Sequence, residues 1–224
     1  MKKKEKTMKN AAKNAVKKSV NKSNIKVLLL NGHGGIIDGV YQTPGKRSPK
    51  WDDGRQLFEG EFNREIVKRI IKLLNEKNIE YVNIVPEDEH ISLQTRVSRV
   101  NKEYVNDKKC IMLSIHANAG GGTGFEVFTS PGETKSDKQA TIYYNEFKKE
   151  FPELRGRKDM CDGDPDKEAN YYVLVHTYCP AVLVECAFMD TLNPDCEMLM
   201  NDSDRDRFAE ALVNAIIKIN KINA

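Results

Sequence analysis

The sequence predicts a single α/β domain of buried strands alternating with amphipathic helices. Three observations carry this. Six short apolar runs bounded by turn residues recur along the chain, at residues 25–30, 80–85, 110–115, 124–129, 171–175 and 180–187. Four stretches with apolar residues at helical spacing fall among them, at 61–75, 93–104, 137–151 and 204–219. Two of the apolar runs also end alike, in a histidine followed by small residues: Asn31-Gly32-His33-Gly34-Gly35 and His116-Ala117-Asn118. With 224 residues the chain is long enough for one sizeable core.

Charge is divided unevenly. The net charge is +3, but residues 1–24 carry nine lysines against one glutamate, so the remainder is net −5. The basic character belongs to the tail, which gives no reason to expect a nucleic-acid-binding fold. The tail has a charged start but no apolar core, so it does not read as a secretory signal. No apolar run approaches the roughly 20 residues of a membrane span. Residues 1–24 therefore read as a solvated, disordered or weakly helical tail, or as an electrostatic tether to an anionic wall or membrane surface. The cysteine count is odd, and Cys110, Cys161, Cys179, Cys186 and Cys196 include no CxxC pair. Reduced, mostly buried thiols are expected, and a cysteine zinc site is not.

The first run, from Ile25 to Leu30, ends in glycines that let the backbone turn sharply and leave His33 at the strand's end. In an open α/β sheet ligands bind at that edge. Residues 36–57 form a loop rich in glycine, proline and charge that holds the only tryptophan. Trp51 reads as a substrate platform or as the residue closing this loop onto the core. Phe62, Ile66, Ile70 and Leu74 then predict a helix over 61–75. Glu61 lies in its first turn, where a carboxylate complements the helix dipole. Glu59 precedes the helix and is freer to point elsewhere.

Residues 80–85 predict a second strand, ended by Pro86. A polar loop with His90 leads into the helix marked by Leu93, Val97, Val100 and Tyr104, with Arg96 and Arg99 on or near its polar side. The run at 110–115 is the third strand, so His33 and His116 are expected at one edge of a parallel pair. Residues 124–129 alternate as a strand does, and 137–151 form a helix. A charged loop fills 154–170, a short strand 171–175, the last buried strand 180–187 and a closing helix 204–219. Glu185 interrupts that last strand. A carboxylate there is costly unless it is paired across the sheet, bound to a metal or kept protonated. A raised proton affinity is also what a general base needs.

These residues assemble into one chemistry. Two histidines and one carboxylate around an open fourth position are the ligand set of a hydrolytic zinc site. His33, His116 and one of Glu59 or Glu61 would hold Zn2+, and Glu185 would be the free carboxylate that moves the proton. Asn118 and Trp51 are candidates for contact with substrate. No nucleophile-elbow serine, phosphate-binding glycine loop or HExxH helix competes with this reading.

The segments NGHGG, EGEFNREI, SIHAN and AVLVECAF, in that order and spacing, resemble the zinc-dependent N-acetylmuramoyl-L-alanine amidases of the type-3 family, over roughly residues 25–219. The resemblance implies a mixed, mostly parallel sheet of about six strands, flanked by helices on both faces, in a catalytic domain spanning 25–224. It implies hydrolysis of the amide between N-acetylmuramic acid and the L-alanine of the peptidoglycan stem peptide. It places the zinc ligands on His33, Glu59 and His116, with Glu61 as fallback for Glu59, and the catalytic role on Glu185. Asn31 stands where the family more often has aspartate, and Gly60 where it has lysine. Without a signal segment or a separate wall-binding repeat, the chain resembles phage or prophage lysins. Such proteins are made in the cytoplasm and reach the wall at lysis or as part of a virion. The rival readings are a zinc peptidase cutting within stem or cross-bridge peptides and a catalytically inactive wall-binding module.

Overall fold

The computed structural model describes residues 23–223. The proposed tail lies outside them except for Ser23 and Asn24, which are fastened to the body. The backbone N–H of Asn24 donates to Asn220 Oδ1 at 2.8 Å, and the Ser23 hydroxyl donates to the Ile25 carbonyl at 2.6 Å.

Six strands form one sheet, in the order β4-β1-β5-β8-β6-β7. They are β1 (Lys26–Asn31), β4 (Glu80–Asn83), β5 (Cys110–Asn118), β6 (Glu126–Thr129), β7 (Lys167–Glu168) and β8 (Ala181–Phe188). Strands β4, β1, β5 and β8 run parallel, β6 is antiparallel to β8, and β7 runs parallel to β6. The sheet is therefore mixed and mostly parallel. A separate hairpin of β2 (Ile36–Ile37) and β3 (Val40–Tyr41) stands beside it in the long loop after β1.

The strands alternate their side chains between two cores, as a period of two requires. Val27, Leu29, Ile111, Leu113, Val182 and Val184 face one core. Helices α1 (Glu59–Lys77), α3 (Asp137–Glu150) and α6 (Asp202–Ile222) cover it through Phe62, Ile66, Ile70, Phe147, Phe208 and Leu212. Leu28, Leu30, Met112 and Leu183 face the other, covered by α2 (Leu93–Asn106) and the one-turn α4 (Tyr172–Val175). After β8 a π-helical turn (Leu192–Cys196) and α5 (Glu197–Met200) lead into α6. Cys110, Cys179, Cys186 and Cys196 are buried free thiols, and Cys161 is exposed. No helix of the described residues is long and apolar enough to cross a membrane.

Four elements differ from the sequence reading. Residues 171–175 do not form a strand: Tyr172–Val175 is a helical turn whose backbone N–H groups at 174 and 175 donate to the Tyr171 carbonyl. The adjacent residues Val173 and Leu174 are both buried, as one face of a helix allows and a half-buried strand does not. The sixth strand is instead β7, two residues inside the predicted charged loop. Helix α1 starts at Glu59 rather than Glu61, because Phe58 is the extended cap residue. Strand β5 continues to Asn118, so His116 and Asn118 lie on the strand itself. Arg96 is not on the polar side of α2; it is 2% exposed and turned toward the end of β1.

Candidate active site

The carboxyl ends of β1, β5 and β8 open into a cleft of about 570 Å³. His33 enters it from the turn after β1. This residue has a left-handed backbone, φ +63°, which costs a β-carbon-bearing residue about 1–2 kcal/mol. Two buried arginines hold the turn. Arg64 Nη1 donates to the His33 carbonyl at 3.2 Å and to the Gly60 carbonyl at 3.0 Å. Arg96 Nη2 donates to the same His33 oxygen at 3.0 Å and Nη1 to the Asn31 carbonyl at 2.5 Å. Burial, with Arg64 nearby, brings the Arg96 pKa down to about 10.

Glu59 reaches the cleft from the first turn of α1 and is 2% exposed. Its backbone N–H donates to the Lys46 carbonyl at 3.0 Å, tying the helix start to the loop. The next residue has to be glycine, because a Cβ at Gly60 would collide with the Gly34 carbonyl. That close approach accounts for Gly60 where a lysine is usual. One carboxylate oxygen of Glu59 faces both imidazoles, at 3.1 Å from His33 Nε2 and 3.0 Å from His116 Nδ1. Burial alone would raise the pKa of Glu59. Hydrogen bonds from His116 and His33 outweigh it and hold the carboxyl well below the usual carboxylate range. The rings of His33 and His116 meet edge to face at 5.2 Å, and a Cβ at Gly32 would strike the His116 ring. His33, Glu59 and His116 each offer a donor atom within 4.8 Å of the others.

Glu185 lies on β8 directly opposite His116 of β5 and Glu126 of β6. It lines the cleft, and its Oε2 is shut off from solvent without a hydrogen-bond partner. Burial first, then the negative charge of Glu59, raise its pKa well above the ordinary carboxylate value, with Lys46 opposing. The cross-sheet ion pair entertained from sequence is absent among the described residues. Glu126 takes such a role instead, accepting from Arg157 at 2.7 Å and Lys167 at 2.6 Å.

Asn118 lines the cleft, and its amide donates to Glu126 Oε2 at 2.6 Å. Glu61 stands apart from the donor trio and accepts the Ile36 backbone N–H at 3.0 Å. Trp51 does not line the cleft; it packs against the larger core, where the indole closes its loop. Three further residues line the cleft that were not among the expected site residues. His90 sits in a polar loop, with Nδ1 3.2 Å from Thr43 Oγ1. Tyr171 and Tyr172 form an aromatic rim on the side where a strand was expected.

The family model described as N-acetylmuramoyl-L-alanine amidase (Amidase_3) matches residues 27–218. The chain belongs to this family. Among curated proteins the amidase is 27% identical over 194 residues to N-acetylmuramoyl-L-alanine amidase CwlM of Bacillus licheniformis, covering 87% of this chain and 68% of the relative. It is 28% identical over 197 residues to the sporulation-specific N-acetylmuramoyl-L-alanine amidase of Bacillus subtilis, covering 86% and 67%. Among solved structures it superposes on an N-acetylmuramoyl-L-alanine amidase from Clostridium difficile with a TM-score of 0.67 and 26% identity, over 88% of this chain and 97% of that one.

Proposed function

We propose that this amidase hydrolyses the amide between the lactyl group of N-acetylmuramic acid and the L-alanine of the stem peptide in peptidoglycan. In this reading the body from Ile25 onward is the catalytic domain, His33, Glu59 and His116 hold Zn2+, and Glu185 is the general base. The donor set fits the metal: two imidazole nitrogens and one carboxylate oxygen converge within 4.8 Å at the floor of an open cleft. Zinc in such a site supplies Lewis acidity, polarising a carbonyl and acidifying water.

The remaining steps fall to the chain's own side chains. The Glu185 carboxylate takes the proton of the attacking water and returns it to the leaving amine nitrogen, which departs as the free amino group of L-alanine. Its raised proton affinity keeps that proton available for the second transfer. Asn118, fixed by Glu126, presents a polar group to the substrate backbone, and Tyr171 and Tyr172 offer an apolar rim to the sugar. The observation that carries the assignment is Glu185 opposite His116, lining the cleft with no ion pair of its own among the described residues.

Product analysis of digested sacculi tests the reading. An amidase releases whole stem peptides beginning with L-alanine. A zinc peptidase leaves cuts within the stem or cross-bridge, and a binding module sediments with sacculi that stay intact. Either of the latter outcomes overturns the proposal.

A further inference from the structure

A second groove, of about 990 Å³, lies at the opposite pole of the sheet, where the parallel strands begin. Ile25, Cys110 and Pro180 line its base, just ahead of or at the start of β1, β5 and β8. From Cys110 to His116 the strand rises six residues, so this groove is about 20 Å from the cleft. Its walls carry Lys108, Lys109, Lys135 and Lys138 against a single acid, Glu133. That concentration is at odds with a body whose net charge beyond residue 24 is −5.

The lysines are only weakly committed elsewhere. Lys109 stands 3.8 Å from Glu80 and 3.8 Å from Asp107, and Lys108 lies over the Tyr104 ring. Lys135 and Lys138 are exposed and make no ion pair among the described residues. Next to Lys138, in the first turn of α3, Gln139 lines the groove at 7% exposure, and its buried Oε1 has no hydrogen-bond partner. With that oxygen shut in, the accessible end of the side chain is its amide NH2, which has no hydrogen-bond partner among the described residues. Gln139 sits where the helix presents its positive end, so these N–H donors add to the field of the lysines.

We infer that this groove binds a phosphodiester-linked anionic polymer of the cell wall. Its lysines take successive phosphates, and Gln139 donates to one of them. The chain enters the groove's rim at Asn24. Binding at this pole leaves the catalytic cleft free, so the polymer can hold the enzyme while the cleft works on glycan. The choice of a wall polymer rests on the amidase reading; the anion site does not.

The test uses the full zinc-loaded chain. Co-sedimentation is measured with walls that retain their phosphodiester polymers and with walls stripped of them, alongside cleavage of a short soluble muropeptide. Wild type should bind intact walls about tenfold better than stripped ones. The double variant Lys135→Gln/Lys138→Gln should lose most of that preference, with a shallower dependence on salt, as expected when phosphate contacts are removed. Gln139→Leu should weaken binding without lowering Tm, and cleavage of the muropeptide should be unchanged in all variants. Equal binding to intact and stripped walls, or a double variant that binds like wild type, overturns the proposal. So does equal affinity for double-stranded DNA of matching charge. Selective wall binding with no muropeptide cleavage would sink the amidase reading and leave the groove standing.

Discussion

Arg96 donates to the carbonyl oxygen of His33 at 3.0 Å, and among the described residues it forms no ion pair. Its other bonds go to the carbonyls of Asn31 and Ile91. A buried guanidinium is thus spent entirely on backbone, fixing a left-handed histidine before any ligand arrives.

Arg96→Met should strand those carbonyls, at about 1–3 kcal/mol for each one left unsatisfied. It should also weaken zinc binding by roughly 10–100-fold, as removal of an outer-shell partner does. Chelator competition and thermal melts read the two effects separately. Arg96→Lys, which restores the charge but not the fork, should fall between.

Glu59→Ala should abolish stoichiometric zinc, whereas Glu61→Ala should retain it and only loosen the β2 hairpin. Metal analysis of the purified variants decides between them. Zinc lost from Glu61→Ala instead would move the ligand.

Glu185→Gln should keep its zinc and lose about 10²–10⁴ in kcat, the range of a positioned general base. It should also melt higher than wild type near neutral pH, because an unpartnered buried carboxyl is replaced by a neutral group of the same shape. A variant that is inactive, zinc-loaded and more stable separates a base from a structural residue.

Asp166 supplies a pH dependence remote from the cleft. Burial, then the adjoining Asp164, push its pKa up to about 7 from an ordinary 3.8. The folded state therefore holds a proton that the unfolded chain has lost. The stability this group contributes is complete below about pH 4 and fades as pH rises through 7. Relative to wild type, Asp166→Asn should gain stability between pH 5 and pH 8. Paired melting curves at the two pH values check the sign.

How far the sequence could be read depended on how local each signal was. His33 and His116 announced themselves because each ends an apolar run in small residues. Glu185 did so because a charge inside such a run demands a reason. Glu59 could be assigned over Glu61 only by the resemblance to known amidases, since two carboxylates two residues apart at a helix start look alike until Gly60 is seen pressed against Gly34. Arg96 was misplaced by helical periodicity, which ranks arginine as polar and has no knowledge of the Asn31 and His33 carbonyls waiting at the end of β1. Trp51 was drawn toward the site by the length of its loop, yet the side chain packs against the larger core. The turn at 172–175 defeated pattern reading because four apolar residues satisfy either period.

Strand β8 is the last to be made, yet it sits between β5 and β6 in the sheet. Until residue 181 emerges, the sheet is two pieces, and β5 presents an open apolar edge along Met112, Leu113 and Ile115. Such edges pair readily with other chains. A nascent or truncated amidase ending before β8 therefore lacks Glu185 and is also a template for aggregation. The strand that brings Glu185, the proposed base, into the cleft is the one that seals the sheet, so the sheet's edge is closed and the cleft is completed in the same folding step.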